Sequence, residues 1–309
     1  MKALTLFLSL LAAPVAAGEM AYITNQSSSD LSVLDLETRS ELRRISVPGQ
    51  PAGVVAHGTE AFTVSPESKT VRRIDTRSGE VLAEVLLDGG PIGIALDLKG
   101  GRVFVSDWYN ARIWVLDALS LTVIDTLQTG SAPAGLAIQS GLLAAANRDA
   151  DQVSIFDLSD LSSRGVVPTG ERPFGLGFAP DGRLFVGNVG TNDVTVIDPE
   201  AGEVIGTVPV GERPYGVAFA KGQAFVTNQY SDSVSVINLQ NLEVIRQIDV
   251  GEYPEGIDVT GDGERIVVAN WFSNSVTLID AGTLEVLGEI ETGDGPRAFG
   301  RFIAREDKP

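Results

Sequence analysis

The chain holds one histidine, His57, and no cysteine. A serine nucleophile would therefore have one candidate imidazole base, and thiolate metal centres or haem attached through paired cysteines are excluded. His57 precedes Gly58 in a turn-forming stretch without convergent carboxylates, so it reads as an exposed turn residue rather than a base or ligand. Aspartates recur at Asp35, Asp75, Asp117, Asp157, Asp198 and Asp280. They could suggest a carboxylate ring, but each ends an apolar run, where Asp caps the turn that follows. The acidic runs Arg148-Asp149-Ala150-Asp151 and Asp258 to Glu264 do not match the calcium-binding loop. No catalytic residue, no metal and no cofactor is expected.

A second set of residue types points to binding. Trp108, Tyr109, Arg148, Tyr230, Trp271 and Phe272 follow recurrent strand ends, and Arg172, Phe174, Arg213, Tyr215, Tyr253 and Arg297 lie in or beside Gly-x-x-Pro segments. Aromatics and arginines gathered on one surface favour a small anionic or aromatic ligand, or a partner protein, through cation–π contact and paired hydrogen bonds. The competing reading pairs Arg172 and Arg213 with Glu171, Glu212 or neighbouring glutamates and packs the rings inside. A surface pair is worth at most about 1 kcal/mol, which gives little reason to repeat it.

The elements that position these residues are set by a repeat of about forty residues. Its first mark is an Asn or Ser at Asn25, Ser65, Ser106, Asn147, Asn188, Asn228 and Asn270, with gaps of 40, 41, 41, 41, 40 and 42. The aspartates above, with Asn238 in the sixth unit, track it. Apolar residues alternate or run in β-branched blocks, as in Val234-Ser235-Val236-Ile237, and helical spacing is not sustained after the first residues. Four short strands repeated seven times predict an all-β, seven-bladed propeller with four-stranded antiparallel blades.

In the sixth unit the strands are expected at 214–220, 223–228, 233–238 and 243–250. Turns such as Lys221-Gly222 and Gly261-Asp262-Gly263 join the first two strands on one face. Because strands alternate in direction, the longer loops and the Gly-x-x-Pro segments share the opposite face. All the candidate binding residues fall there around the central channel, and His57 falls on the short-turn face. The chain starts on a second strand (21–24) and ends on a first-type strand (296–304), so the termini are expected to share one blade and close the ring.

Residues 1–17 have the form of a cleavable signal: one cation at Lys2, a short apolar run, and small residues ending at Ala17. The remainder, 18–309, is expected to be one propeller domain, periplasmic or secreted, without a membrane span and monomeric. A net charge of −18 repels nucleic acid and anionic lipid.

The tokens Tyr22-Ile23-Thr24-Asn25, Phe225-Val226-Thr227-Asn228 and Val194-Thr195-Val196-Ile197-Asp198, with the Gly-x-x-Pro-x-Gly segments, resemble the bacterial YVTN-repeat (YncE-like) exported β-propellers from Met20 to about Ala304. The repeat is also similar to those of quinoprotein amine dehydrogenase, cytochrome d1 and surface-layer propellers. The resemblance implies a periplasmic or cell-surface location and, in some relatives, redox roles. This chain departs from the redox relatives: His57 is its only histidine, and Trp108, Trp114 and Trp271 are its only tryptophans. The expected function is a non-enzymatic binding or scaffold protein using the long-loop face. The alternative is a redox enzyme or quinoprotein- or cytochrome-associated accessory component with a cofactor in the channel. A third reading is single-stranded nucleic-acid binding by the exposed rings, against which the acidic charge counts.

Overall fold

The computed structural model describes residues 18–306, which form seven four-stranded antiparallel sheets arranged as a propeller. Blade 6 shows the plan, with an inner strand Pro214–Ala220, then Gln223–Asn228, Ser233–Asn238 and an outer strand Val244–Asp249. The third strand, Ser-Val-Ser-Val-Ile-Asn, is buried along nearly its whole length with serines and apolar residues alternating, whereas the outer strand is mostly exposed. The core is a set of wedges between blades. In one of them Phe225, Val234 and Val236 of blade 6 meet Ile266 and Val268 of blade 7.

Polar marks of the repeat stitch each blade. Asn25, Asn188 and Asn270 each donate from Nδ2 to a hydroxyl seven residues later, on Ser32, Thr195 and Thr277, at 2.8 Å. These asparagines pair with the proline that opens the inner strand, as in Pro173↔Asn188 and Pro254↔Asn270. In blade 3 the partner of Pro91 is Asp107, so the mark assigned to Ser106 belongs one residue later. Ser106 instead donates to the Ala134 carbonyl at 2.7 Å, a blade-to-blade bond that Thr24 and Thr227 also make, to Ala52 and Glu255. The recurrent aspartates cap turns as expected. Asp280 Oδ1, for example, accepts Gly282 N at 2.9 Å and Thr283 N at 2.7 Å.

The termini do share a blade, with Met20 opposite Ala304 and Ala21 opposite Ile303. The closing strand is shorter than 296–304, because regular pairing covers only Ile303–Glu306. Upstream the chain leaves strand geometry at Ala298 (φ 45) and Gly300 (φ 139). A Cβ at Gly300 would lie 2.2 Å from the Val54 carbonyl oxygen, so only glycine lets the detour pass blade 2. Asp258 on blade 7 holds it: Oδ2 accepts Phe302 N and Ile303 N, both at 2.9 Å. The expected signal segment lies outside the described residues.

Candidate functional site

The binding candidates are positioned by one backbone device repeated around the long-loop face. Arg172, Arg213 and Tyr253, each just before an inner-strand proline, are left-handed at φ 54, 56 and 59. Such a conformation costs a non-glycine residue roughly 1 kcal/mol, so something must hold it. The holder is an Asp or Asn side chain from the preceding blade. Asp151, Asn192 and Asp232 accept Arg172 N, Arg213 N and Tyr253 N at 2.7, 2.9 and 2.8 Å. The carbonyls of Arg213 and Tyr253 then accept Gln229 N and Trp271 N, both at 3.0 Å, which sets the loops carrying Tyr230 and Phe272.

Ten of the twelve candidates form one connected network. Arg148 lies over Trp108 (5.4 Å), Trp108 meets Phe174 (6.1 Å) and Phe174 meets Tyr215 (4.2 Å). Arg297 lies over both Tyr215 and Trp271. Trp271 is parallel to Phe272 and 5.5 Å from Tyr253, Tyr253 is 5.6 Å from Tyr230, and Arg213 covers Tyr230 at 4.4 Å. Two candidates stand apart. Tyr109, 76% exposed, lies against Gly90, and Arg172 is exposed with no ion pair or ring contact among the described residues.

The network splits by depth. Tyr230 (53% exposed) and Phe272 (62%) present rings to solvent beside Tyr253 and Trp271, with the Arg213 guanidinium donating to the Tyr230 hydroxyl at 2.7 Å. Burial, together with the bond to Tyr230, raises the Tyr253 phenol above its ordinary value. Phe174 and Tyr215 are buried and pack with Phe299, which was not anticipated. They belong to a ring of residues after the inner-strand prolines: Ala52, Ile92, Ala134, Phe174, Tyr215, Glu255 and Arg297. These side chains plug the channel rather than line an open mouth.

Arg297 is likewise committed. Its Nε donates to Glu255 Oε2 at 2.6 Å, its Nη2 to the Tyr215 hydroxyl, and Gln229 Nε2 donates to Glu255 Oε1 at 2.7 Å. Burial pushes the Glu255 carboxyl up, with Arg297 and Gln229 acting against it. Burial also opposes the Arg297 charge, but Glu255 and Tyr215 hold its guanidinium above the ordinary value. Arg148 is paired with Asp149 at 2.5 Å. Among the described residues neither Arg172 nor Arg213 lies within ion-pair distance of a glutamate, while Phe174 and Tyr215 do pack inward. His57 ends the inner strand Gly53–His57 on the short-turn face, exposed.

Beneath the plug the channel widens into a cavity of about 470 Å³. It begins at Gly135, Gly175, Gly216 and Gly256, each directly after a plug residue, and runs to Gln139, Pro180 and Arg301 at the short-turn end.

Residues 89–116 match the NHL repeat family. That segment and the seven blades support a β-propeller repeat family. No curated protein matches this chain. Among solved structures it is similar to dihydro-heme d1 dehydrogenase NirN in complex with DHE (TM-score 0.68, 15% identity, 92% of this chain and 75% of that one). It is similar also to Kuenenia stuttgartiensis hydrazine synthase (TM-score 0.71, 17% identity, 81% and 89%). A third is a functionally unknown protein from Desulfotomaculum acetoxidans DSM 771 (TM-score 0.78, 16% identity, 94% and 99%). At these identities the likeness is one of fold.

Proposed function

We propose that this chain is an exported, non-enzymatic binding protein of the YVTN-repeat kind, whose long-loop face receives a partner protein or an aromatic ligand. The observation that carries the reading is the strip in which exposed Tyr230 and Phe272 lie beside half-buried Arg213, Tyr253 and Trp271, spread over adjacent blades and held by backbone latches. Pre-positioned rings lose little freedom on binding, which is the property of an anchor residue. Arg213 Nε is also buried without a hydrogen-bond partner, an unspent donor beside the rings. A small anion fits less well: Arg297 and Arg148 already face carboxylates, and Glu171, Glu212 and Glu252 lie exposed on the rim.

Site-specific photo-crosslinking in the native host tests this. A benzophenone side chain at position 272 should give a discrete adduct that R213A abolishes, while one at position 57 should not. Equal adducts from both faces, or one at 272 indifferent to R213A, would refute the assignment.

A second reading is a cofactor-bearing redox component, favoured by the likeness in fold to dihydro-heme d1 dehydrogenase NirN. The residues here do not fit a haem d1-type group, because His57 is not among the residues lining the channel cavity and the Tyr215 hydroxyl is engaged by Arg297. Visible absorption in protein purified from its own host would reverse this ranking.

A further inference from the structure

The cavity below the plug is separate from the long-loop face, and its chemistry is different. Leu136, Ile138, Leu176, Val217, Phe219 and Val259 line it and remain only partly covered by protein. Wetted apolar wall costs about 25 cal/mol per Å², which an apolar ligand would recover. At about 470 Å³ the cavity lies within the roughly 300–1,000 Å³ of small-molecule sites. Phe299 is shared between its ceiling and the aromatic plug, so it is blind at that end and open toward the short turns.

Among the described residues two charged side chains line it, Asp258 and Arg301. Asp258 is spent on the closing segment, since Oδ1 accepts Val259 N and Oδ2 accepts Phe302 N and Ile303 N, all at 2.9 Å. Arg301 is exposed, and among the described residues no carboxylate lies within ion-pair distance of it, although its charge acts on the buried Asp258 carboxyl and lowers its pKa against the effect of burial. Its carbonyl accepts Ala56 N at 2.8 Å, fixing that backbone at the rim against blade 2. The nearby turn carboxylates Asp97 and Asp181 are paired with Arg102 and Arg183, both at 2.6 Å. We infer that this cavity is a binding site for amphipathic organic anions, monocarboxylates whose apolar body fills the channel and whose carboxylate meets Arg301 at the mouth.

Calorimetric titration of the purified protein with octanoate, octanol and octylammonium tests it. Octanoate should bind saturably and more tightly than octylammonium. R301A should weaken octanoate about fivefold, the 1 kcal/mol upper end for a solvent-screened pair, and leave octanol unchanged. R301E should reverse the order of the two ions, and V217W should block all three by filling the cavity. R213A and W271A should have no effect, which separates this site from the long-loop face. The inference is overturned if wild-type protein shows no saturable octanoate binding, if octylammonium binds as tightly, or if R301A and R301E titrate like wild type. Octanoate binding that survives in a V217W protein with wild-type circular dichroism would also overturn it.

Discussion

Replacing Arg297 with alanine should destabilise the protein by an amount that depends on pH, and the structure fixes both the size and the sign. Arg297 meets Glu255 at 2.6 Å, and the carboxylate side chain is 1% exposed, against 15% for the guanidinium. Removing one partner of such a pair leaves an uncompensated buried charge, at a cost of about 3–5 kcal/mol. Glu255 can escape by taking up a proton. Burial already raises its folded pKa above the ordinary 4.5, and losing Arg297 raises it further. Between the unfolded value and that raised folded value the native state keeps a proton that the unfolded chain releases, so stability falls as pH rises across the window and then levels off. The R297A penalty should therefore be smallest near pH 4.5 and larger at neutral pH. Urea unfolding of wild type and variant at both pH values reads it directly. A double variant, E255Q/R297M, keeps the volume without a buried charge and should regain most of the loss. A penalty equal at both pH values, or a double variant as unstable as R297A, would refute the reasoning.

Asp258→Ala should cost about 3 kcal/mol, because it strands two backbone donors of the closing segment. Hydrogen exchange at Phe302 and Ile303 should rise well before that of blade 4. Asp107 is held below the ordinary carboxylate range: burial alone would raise it, but bonds from Gly90 N, Asn110 and Arg112 outweigh that. Its contribution is therefore present above about pH 4 and lost as pH falls through the lowered folded value, so D107N should flatten the acid limb of the stability curve and cost about 1–2 kcal/mol at pH 7. Asn192→Gly keeps the left-handed backbone (φ 59) but removes the acceptor for Arg213 N, so the 272 crosslink should weaken while the melting midpoint moves little.

The fold was legible because its marks are backbone requirements that recur from blade to blade. A proline opens the inner strand of most blades, an Asn reaches a hydroxyl seven residues on in blades 1, 4, 5, 6 and 7, and an Asp, or Asn238 in blade 6, caps the turn before the outer strand. The one misplaced mark, Ser106 for Asp107, arose because blade 3 satisfies the same position with a carboxylate on Gly90 N and Arg112. The closing strand was overdrawn for a related reason. Pro296-Arg297-Ala298 puts alanine where other blades have glycine, and the detour that follows depends on Asp258, far away in sequence.

The candidate site was legible in residue type and face, but not in depth. Repeat register says that Arg213, Tyr215 and Tyr253 lie near one another. It does not say that Tyr215 turns inward while Tyr230 stays out. One signal was available: positions one repeat apart are ring neighbours, so Glu255 before Gly256 and Arg297 before Ala298 had to face each other, as they do. That pairing changes what the face can bind, because the arginine nearest the channel is neutralised from within. The same ring separates the two surfaces, with rings 4.2, 5.1 and 5.7 Å apart across Phe174, Tyr215 and Phe299. A ligand crossing the channel would have to break that packing and the ion pair together, so the packing divides the long-loop face from the cavity.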